Sequence, residues 1–184
     1  MNIVSELFEN ILKINSTKSA KNVDLNKYLG LWYELYRLPN LFEFGCKNIT
    51  AEYNLNDNGT IQVINKCDRF CFTDKIEGVA YVNCENNSIL SVKFPIFLGF
   101  EVPGSYIILE TGIIKNGKLI SSENINHKFK QYDYSMVGDA SKRFLWILSR
   151  TKHLENNYVQ ELLCRARNDF GYGSKINYVI DSNE

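Results

Sequence analysis

The chain lacks an excess of either charge: 21 Lys and Arg stand against 21 Asp and Glu, mixed along 184 residues. A basic stripe that could follow a phosphate backbone is missing, which excludes nucleic acid as a partner class. No apolar run approaches the roughly 20 residues a membrane-spanning helix needs. Histidine is scarce, and neither His127 nor His153 has a nucleophile at a recognisable spacing. Gly-x-Ser-x-Gly, His-Glu-x-x-His and a phosphate loop are all absent, and the glycines of "GYGS" have no strand before and helix after them. Catalysis and a cofactor are therefore not expected. The five cysteines (Cys46, Cys67, Cys71, Cys84 and Cys164) form neither two C-x-x-C pairs nor a set with paired histidines, which argues against structural zinc. Their odd number leaves at least one unpaired in a monomer.

A cleaved leader is also missing from the reading of residues 1–23. Glu6, Glu9, Asn10 and Lys13 interrupt the apolar block that a secretory signal wants. Ile3, Leu7, Ile11 and Ile14 recur instead at helical spacing, which predicts a short helix packed on the domain. With no leader and no lipidated cysteine, and with a composition rich in Asn, Ile and Lys that suits an AT-rich genome, a cytoplasmic or virion-associated protein is expected rather than one anchored in an outer membrane.

What is present is a single ordered domain, residues 24–184, in a chain 45% hydrophobic and 13% aromatic. "WYELYR", "ITAEYNL", "IQVINKC", "IEGVAYV", "ILSVKF", "SYIILE", "YSMVG" and "FLWILSR" read as eight short strands. Turn chemistry such as Asp57-Asn58-Gly59 separates them, so an antiparallel sandwich or barrel is predicted. A helical stripe then follows in Tyr158, Val159, Leu162, Leu163 and Ala166, and "INYVI" is a candidate ninth strand. Antiparallel pairing about Asn58 brings Cys46 opposite Cys67 and Cys71, making Cys46–Cys67 the first choice of disulfide. Cys46–Cys71 and fully reduced thiols stay open as alternatives.

"GLWYELYRLPNLFEFGC", "TAEYNLNDNGTIQVINKC", "IEGVAYV" and "LWILSRT" together resemble the lipocalin family, closest to its bacterial outer-membrane lipoprotein and apolipoprotein D branch. The resemblance implies an all-β fold, an eight-stranded antiparallel up-and-down barrel with a C-terminal helix packed outside. It also implies that Trp32 lies at the closed base with the Arg150 guanidinium over its ring. "QYDYSMVG" matches the family's second signature less faithfully, and residues 112–131 look like an insertion carrying a small hairpin at "NGK".

Alternation from Trp32 assigns an interior that includes Glu34, Tyr36, Ala51, Tyr53, Val63, Gly78, Ala80, Val92, Tyr106 and Ile108, with Met136 and Trp146 added. Gly78 and Ala80 are expected to leave room. That lining suits a small lipophilic ligand such as a fatty acid or lysophospholipid. Glu34 is expected either to hydrogen-bond to tyrosines or to meet a ligand head group. Phe94 and Phe97, in the apolar rim stretch 94–100, are expected to wall and lid the pocket. The same stretch is the candidate for membrane-surface contact or for a homodimer. The competing reading is a protein-interaction module with a filled barrel, using rim 94–100 and insertion 112–131.

Overall fold

The computed structural model describes residues 17–96, 100–126 and 128–183. The helix predicted for the N-terminal segment, and both Phe97 and His127, fall outside or largely outside them. A short helix α1 (Leu25–Tyr28), capped by the Asp24 side chain, leads into β1 (Gly30–Arg37). Gly30 makes the turn between them at φ +93°, a conformation other residues rarely adopt. Then come β2 (Cys46–Leu55), β3 (Ile61–Arg69), β4 (Phe72–Val82), β5 (Ile89–Ile96) and the long β6 (Phe100–Lys115). β7 (Lys118–Ser121) folds back on β6 through the Asn116–Gly117 turn. β8 (Tyr134–Gly138), β9 (Leu145–Ser149), helix α2 (Asn156–Asn168) and the short β10 (Ile180–Asp181) complete the chain. Residues 176–178, the first part of the stretch read as a ninth strand, belong instead to a 3-10 turn (Gly173–Tyr178), and only Ile180–Asp181 pair with a strand.

Strands β1 to β6, then β8 and β9, pair antiparallel in sequence order, and β9 returns to β1. The result is a closed eight-stranded barrel, which leaves no sheet edge unpaired around the ring. Two apolar cores result from strand alternation. One lies inside the barrel and includes Trp32, Tyr53, Val63, Ala80, Leu90, Ile108 and their neighbours. The other lies outside, where Tyr158, Leu162 and Ala166 of α2 cover Ile107, Leu109, Met136 and Ile147.

Cys46 and Cys67 are joined in a disulfide with Cα atoms 5.4 Å apart, while Cys71, Cys84 and Cys164 are free and exposed. The bond ties the rim ends of β2 and β3 over Ile49.

Candidate functional site

The base of the barrel is closed by stacked layers. Trp32 is fully buried; its indole Nε1 donates to the Tyr28 carbonyl at 2.8 Å, and the Arg150 guanidinium sits 3.8 Å from its ring centroid. Arg150 also donates to the carbonyls of Leu31, Tyr28 and Leu29 at 2.6, 2.9 and 2.8 Å, and to those of Lys27 and Tyr132 at 3.2 Å. One planar fork thus caps the carbonyl end of α1 while stacking on the indole. Burial draws the Arg150 pKa down to about 10, still well above neutrality, so the fork is charged.

The residues ahead of α1 cross beneath this layer: Ala20 N donates to Ile108 O, and Asn87 Nδ2 to Val23 O. The insertion adds Ile125 and Phe129, packed against the interior core with Tyr132. Its exit is held where Ile114 N donates to the Asp133 carboxylate at 2.8 Å. The base is plugged by main-chain and aromatic layers that alternation within strands could not have revealed.

Above Trp32 lies a floor of hydroxyls. Tyr53 donates to Tyr106 at 2.9 Å, and Ser135 donates its single proton toward the Glu110 carbonyl. The Tyr28–Ser135 contact at 3.0 Å must then be donated by Tyr28, and the Tyr28–Tyr106 contact at 2.8 Å by Tyr106. The chain Tyr53, Tyr106, Tyr28, Ser135 is therefore internally satisfied. Burial raises all three phenols, Tyr28 to about 12, so they stay protonated.

Higher up, a row of cross-strand partners climbs from base to rim: Trp32, Ala51, Asn65 and Ile76. Val63 and Gly78 lie two residues below Asn65 and Ile76 on the same inward face. Trp32 is fully buried, Ala51 and Asn65 are half-buried, and Ile76 is 42% exposed. Inward-facing Phe94, Tyr106 and Trp146 are also half-buried, whereas Ala80, Val92 and Ile108 below are closed in. Inward-facing side chains are thus packed at the base and become more exposed toward the rim.

Two predicted interior residues are corrected. Tyr36 packs with the outer core because the β1–β9 register shifts between Glu34 and Tyr36, flipping the alternation. Arg37 takes the inward place, paired with Trp146. Met136 is likewise outside under α2, and Val137, paired with Ile108 and Trp146, faces in. The room expected at Gly78 is occupied: a Cβ there would stand 2.6 Å from both the Phe94 ring and the Lys93 carbonyl. The glycine is a seat for Phe94, not free volume.

Glu34 is inward and buried, but its partners are not tyrosines. Arg37 Nη1 donates to it at 3.1 Å and Ser182 Oγ, from the C-terminal tail after β10, at 2.5 Å. Arg37 Nη2 continues to the Cys46 carbonyl at 3.1 Å, and Trp146 Nε1 donates to the Glu43 carboxylate at 3.1 Å. Phe144 stacks on Trp146 with their rings parallel within 3°, and Phe42 packs tilted against Phe144. The loop between β1 and β2 thus folds over the rim end of the neighbouring β9.

Burial first, and Glu43 second, push the Glu34 pKa up to about 8 despite Arg37. The folded state then keeps a proton that the unfolded chain releases near the usual carboxylate value. Stability accordingly falls as pH rises from that value toward 8. Glu34→Gln is expected to flatten this decline in chemical-denaturation midpoints; an unchanged slope would refute the assignment.

The match to known proteins follows the same geometry. The family model of the lipocalin-like domain matches residues 23–127 and 113–180. The chain is a lipocalin. It is 32% identical over 153 residues to the outer membrane lipoprotein Blc of Vibrio cholerae, covering 80% of this chain and 77% of that protein. To a lipocalin of Acanthamoeba polyphaga mimivirus it is 32% identical, covering 84% and 82%. To apolipoprotein D of Macaca fascicularis it is 35% identical, covering 82% and 72%. Among solved structures, insecticyanin of Manduca sexta aligns with TM-score 0.64 at 19% identity, over 92% of this chain and 85% of that one. As a lipocalin it has a fold that binds small hydrophobic ligands. No helix among the described residues is long and apolar enough to cross a membrane.

Proposed function

We propose that this lipocalin carries one lipid-sized amphiphile in the upper half of its barrel, acting by burial rather than by catalysis. The observation that supports this most is the exposure of inward-facing Ile76, Asn65 and Ala51 above a floor whose own hydrogen bonds are complete. The aliphatic walls of Val63, Val92 and Phe94 suit an alkyl chain, and the polar group then lies toward Asn65 or the Glu34–Arg37 pair.

The rim favours exchange at an apolar surface. Leu41, Phe42, Phe44, Phe70 and Phe72 are all exposed on the β1–β2 loop and the β3–β4 hairpin at the rim, a concentration that is costly in water. A membrane surface is the reading we adopt for the rim, ahead of a homodimer. The filled-barrel alternative gains little, because the insertion spends its Ile125 and Phe129 on sealing the base.

Delipidated, folded protein titrated with the fluorescent fatty acid cis-parinaric acid is expected to show saturable one-to-one binding, displaced by unlabelled long-chain lipids. Non-saturable or absent binding would defeat the carrier reading.

A further inference from the structure

Two Asn-Gly steps stand in hairpin turns, Asn58–Gly59 between β2 and β3 and Asn116–Gly117 between β6 and β7. Such a step is chemically labile near neutral pH, because a glycine nitrogen with no Cβ beside it can attack the asparagine side-chain carbonyl. Sterically the two match: all four residues are exposed, and a Cβ on either glycine would meet nothing within 4 Å. Their hydrogen bonds differ. The Gly59 amide donates to the Asn56 carbonyl at 2.9 Å, and Asn58 Oδ1 accepts from Thr60 N at 3.1 Å and from Thr60 Oγ1 at 2.6 Å. Both reacting groups are held there. Asn116 and Gly117 are the two central residues of a tight turn, at φ 53° and 70°, with Lys115 paired to Lys118 across it. Among the described residues, neither the Gly117 amide nor the Asn116 side chain has a hydrogen-bond partner. Charge sharpens the contrast. Exposed Lys115 and Lys118 flank the second step and favour negative charge developing on the glycine nitrogen, whereas Asp57 precedes Asn58 and opposes it.

The structure assigns Asn116 as a site of spontaneous deamidation in the folded chain, with Asn58 protected. The Gly117 nitrogen gives its proton to water and bonds to Asn116 Cγ. The Cγ–Nδ2 bond then breaks, and Nδ2 takes up a proton and leaves as ammonia. Water opens the resulting succinimide ring at either carbonyl, leaving aspartate or isoaspartate at position 116. In sum, an amide and water become a carboxylate and ammonium, with no change of oxidation state. The new carboxylate lies between two lysines, so the aspartyl product is well tolerated. The isoaspartyl product adds one backbone atom to a two-residue turn, which loosens the pairing of Lys115 with Lys118. The site stands apart from ligand carriage and does not depend on it.

The test ages the whole folded chain at mildly alkaline pH and follows both steps by peptide mass mapping, with the urea-unfolded chain as reference. Unfolded, both asparagines convert. Folded, Asn116 is expected to convert about 10-fold or more faster than Asn58, because hydrogen bonds on both reacting groups at Asn58 must break first. Asn116→Gln is expected to abolish the early acidic species seen on ion exchange. Conversion of Asn58 at an equal or greater rate would overturn the assignment. So would an Asn116 that stays intact while the unfolded chain reacts, or an early acidic species that persists in Asn116→Gln.

Discussion

Arg150→Ala is expected to be the most damaging single substitution in the barrel, lowering stability by about 3–5 kcal/mol and the melting temperature by about 10 °C. The guanidinium bonds to five carbonyls and covers the Trp32 ring at 3.8 Å, so its loss strands acceptors at the end of α1 and uncovers the indole together. Cation–π attraction supplies only about 1–2 kcal/mol of that; the remainder comes from the charged hydrogen bonds. Arg150→Lys should recover less than half, because an ammonium cannot lie flat on the ring and reach several carbonyls at once. Thermal or urea unfolding of both variants checks the ranking. A lysine variant as stable as wild type would show that charge alone suffices.

The second large effect concerns binding. Ala51→Phe is expected to leave the fold intact and to weaken lipid binding by about 100-fold, because a ring in the hollow displaces three or four methylenes at about 0.8 kcal/mol each. Ala51 is the right position since it is a small, half-buried residue whose cross-strand partners are Trp32 and Asn65. Gly78 is the wrong one. Any side chain there meets the Lys93 carbonyl and the Phe94 ring, so substitution damages the wall rather than filling a cavity. Probe titration beside a melting curve separates the two cases, and undiminished affinity in a folded Ala51→Phe protein would place the ligand elsewhere.

These two sites also show what could be read in the chain before its structure. Eight strands were legible because side chains alternate and turn residues punctuate them, and the Trp32–Arg150 contact followed from the family resemblance. Tyr36 and Met136 were assigned to the wrong face for different reasons. In β1 the pairing slips between Glu34 and Tyr36, and the intervening Leu35 is an ordinary strand residue whose chemistry announces no bulge. β8 is buried along its whole length, so its sequence carries no alternation to separate Met136 from Val137.

The partners of Glu34 were hidden differently. Ser182 lies 148 residues away and reaches the carboxylate only because the tail pairs with β1. Asn65 was within reach of the alternation that placed Ile61 and Val63 inside. An asparagine on an interior face looks like an exception to burial, yet its cross-strand partners Ala51 and Ile76 place it there. The insertion was legible as extra length with a turn. That its Ile125 and Phe129 seal the base required the tertiary fold.

The central claim, a hollow upper barrel above a sealed base, is tested most directly by methyl NMR of the protein saturated with a long-chain fatty acid. Contacts from the alkyl chain to the methyls of Ala51, Ile76 and Val63 are predicted, with those of Leu162 and Ala166 under the outer helix unmoved. Shifts confined to the outer helix, or to the exposed rim leucine Leu41, with the interior methyls unchanged at saturation would contradict it.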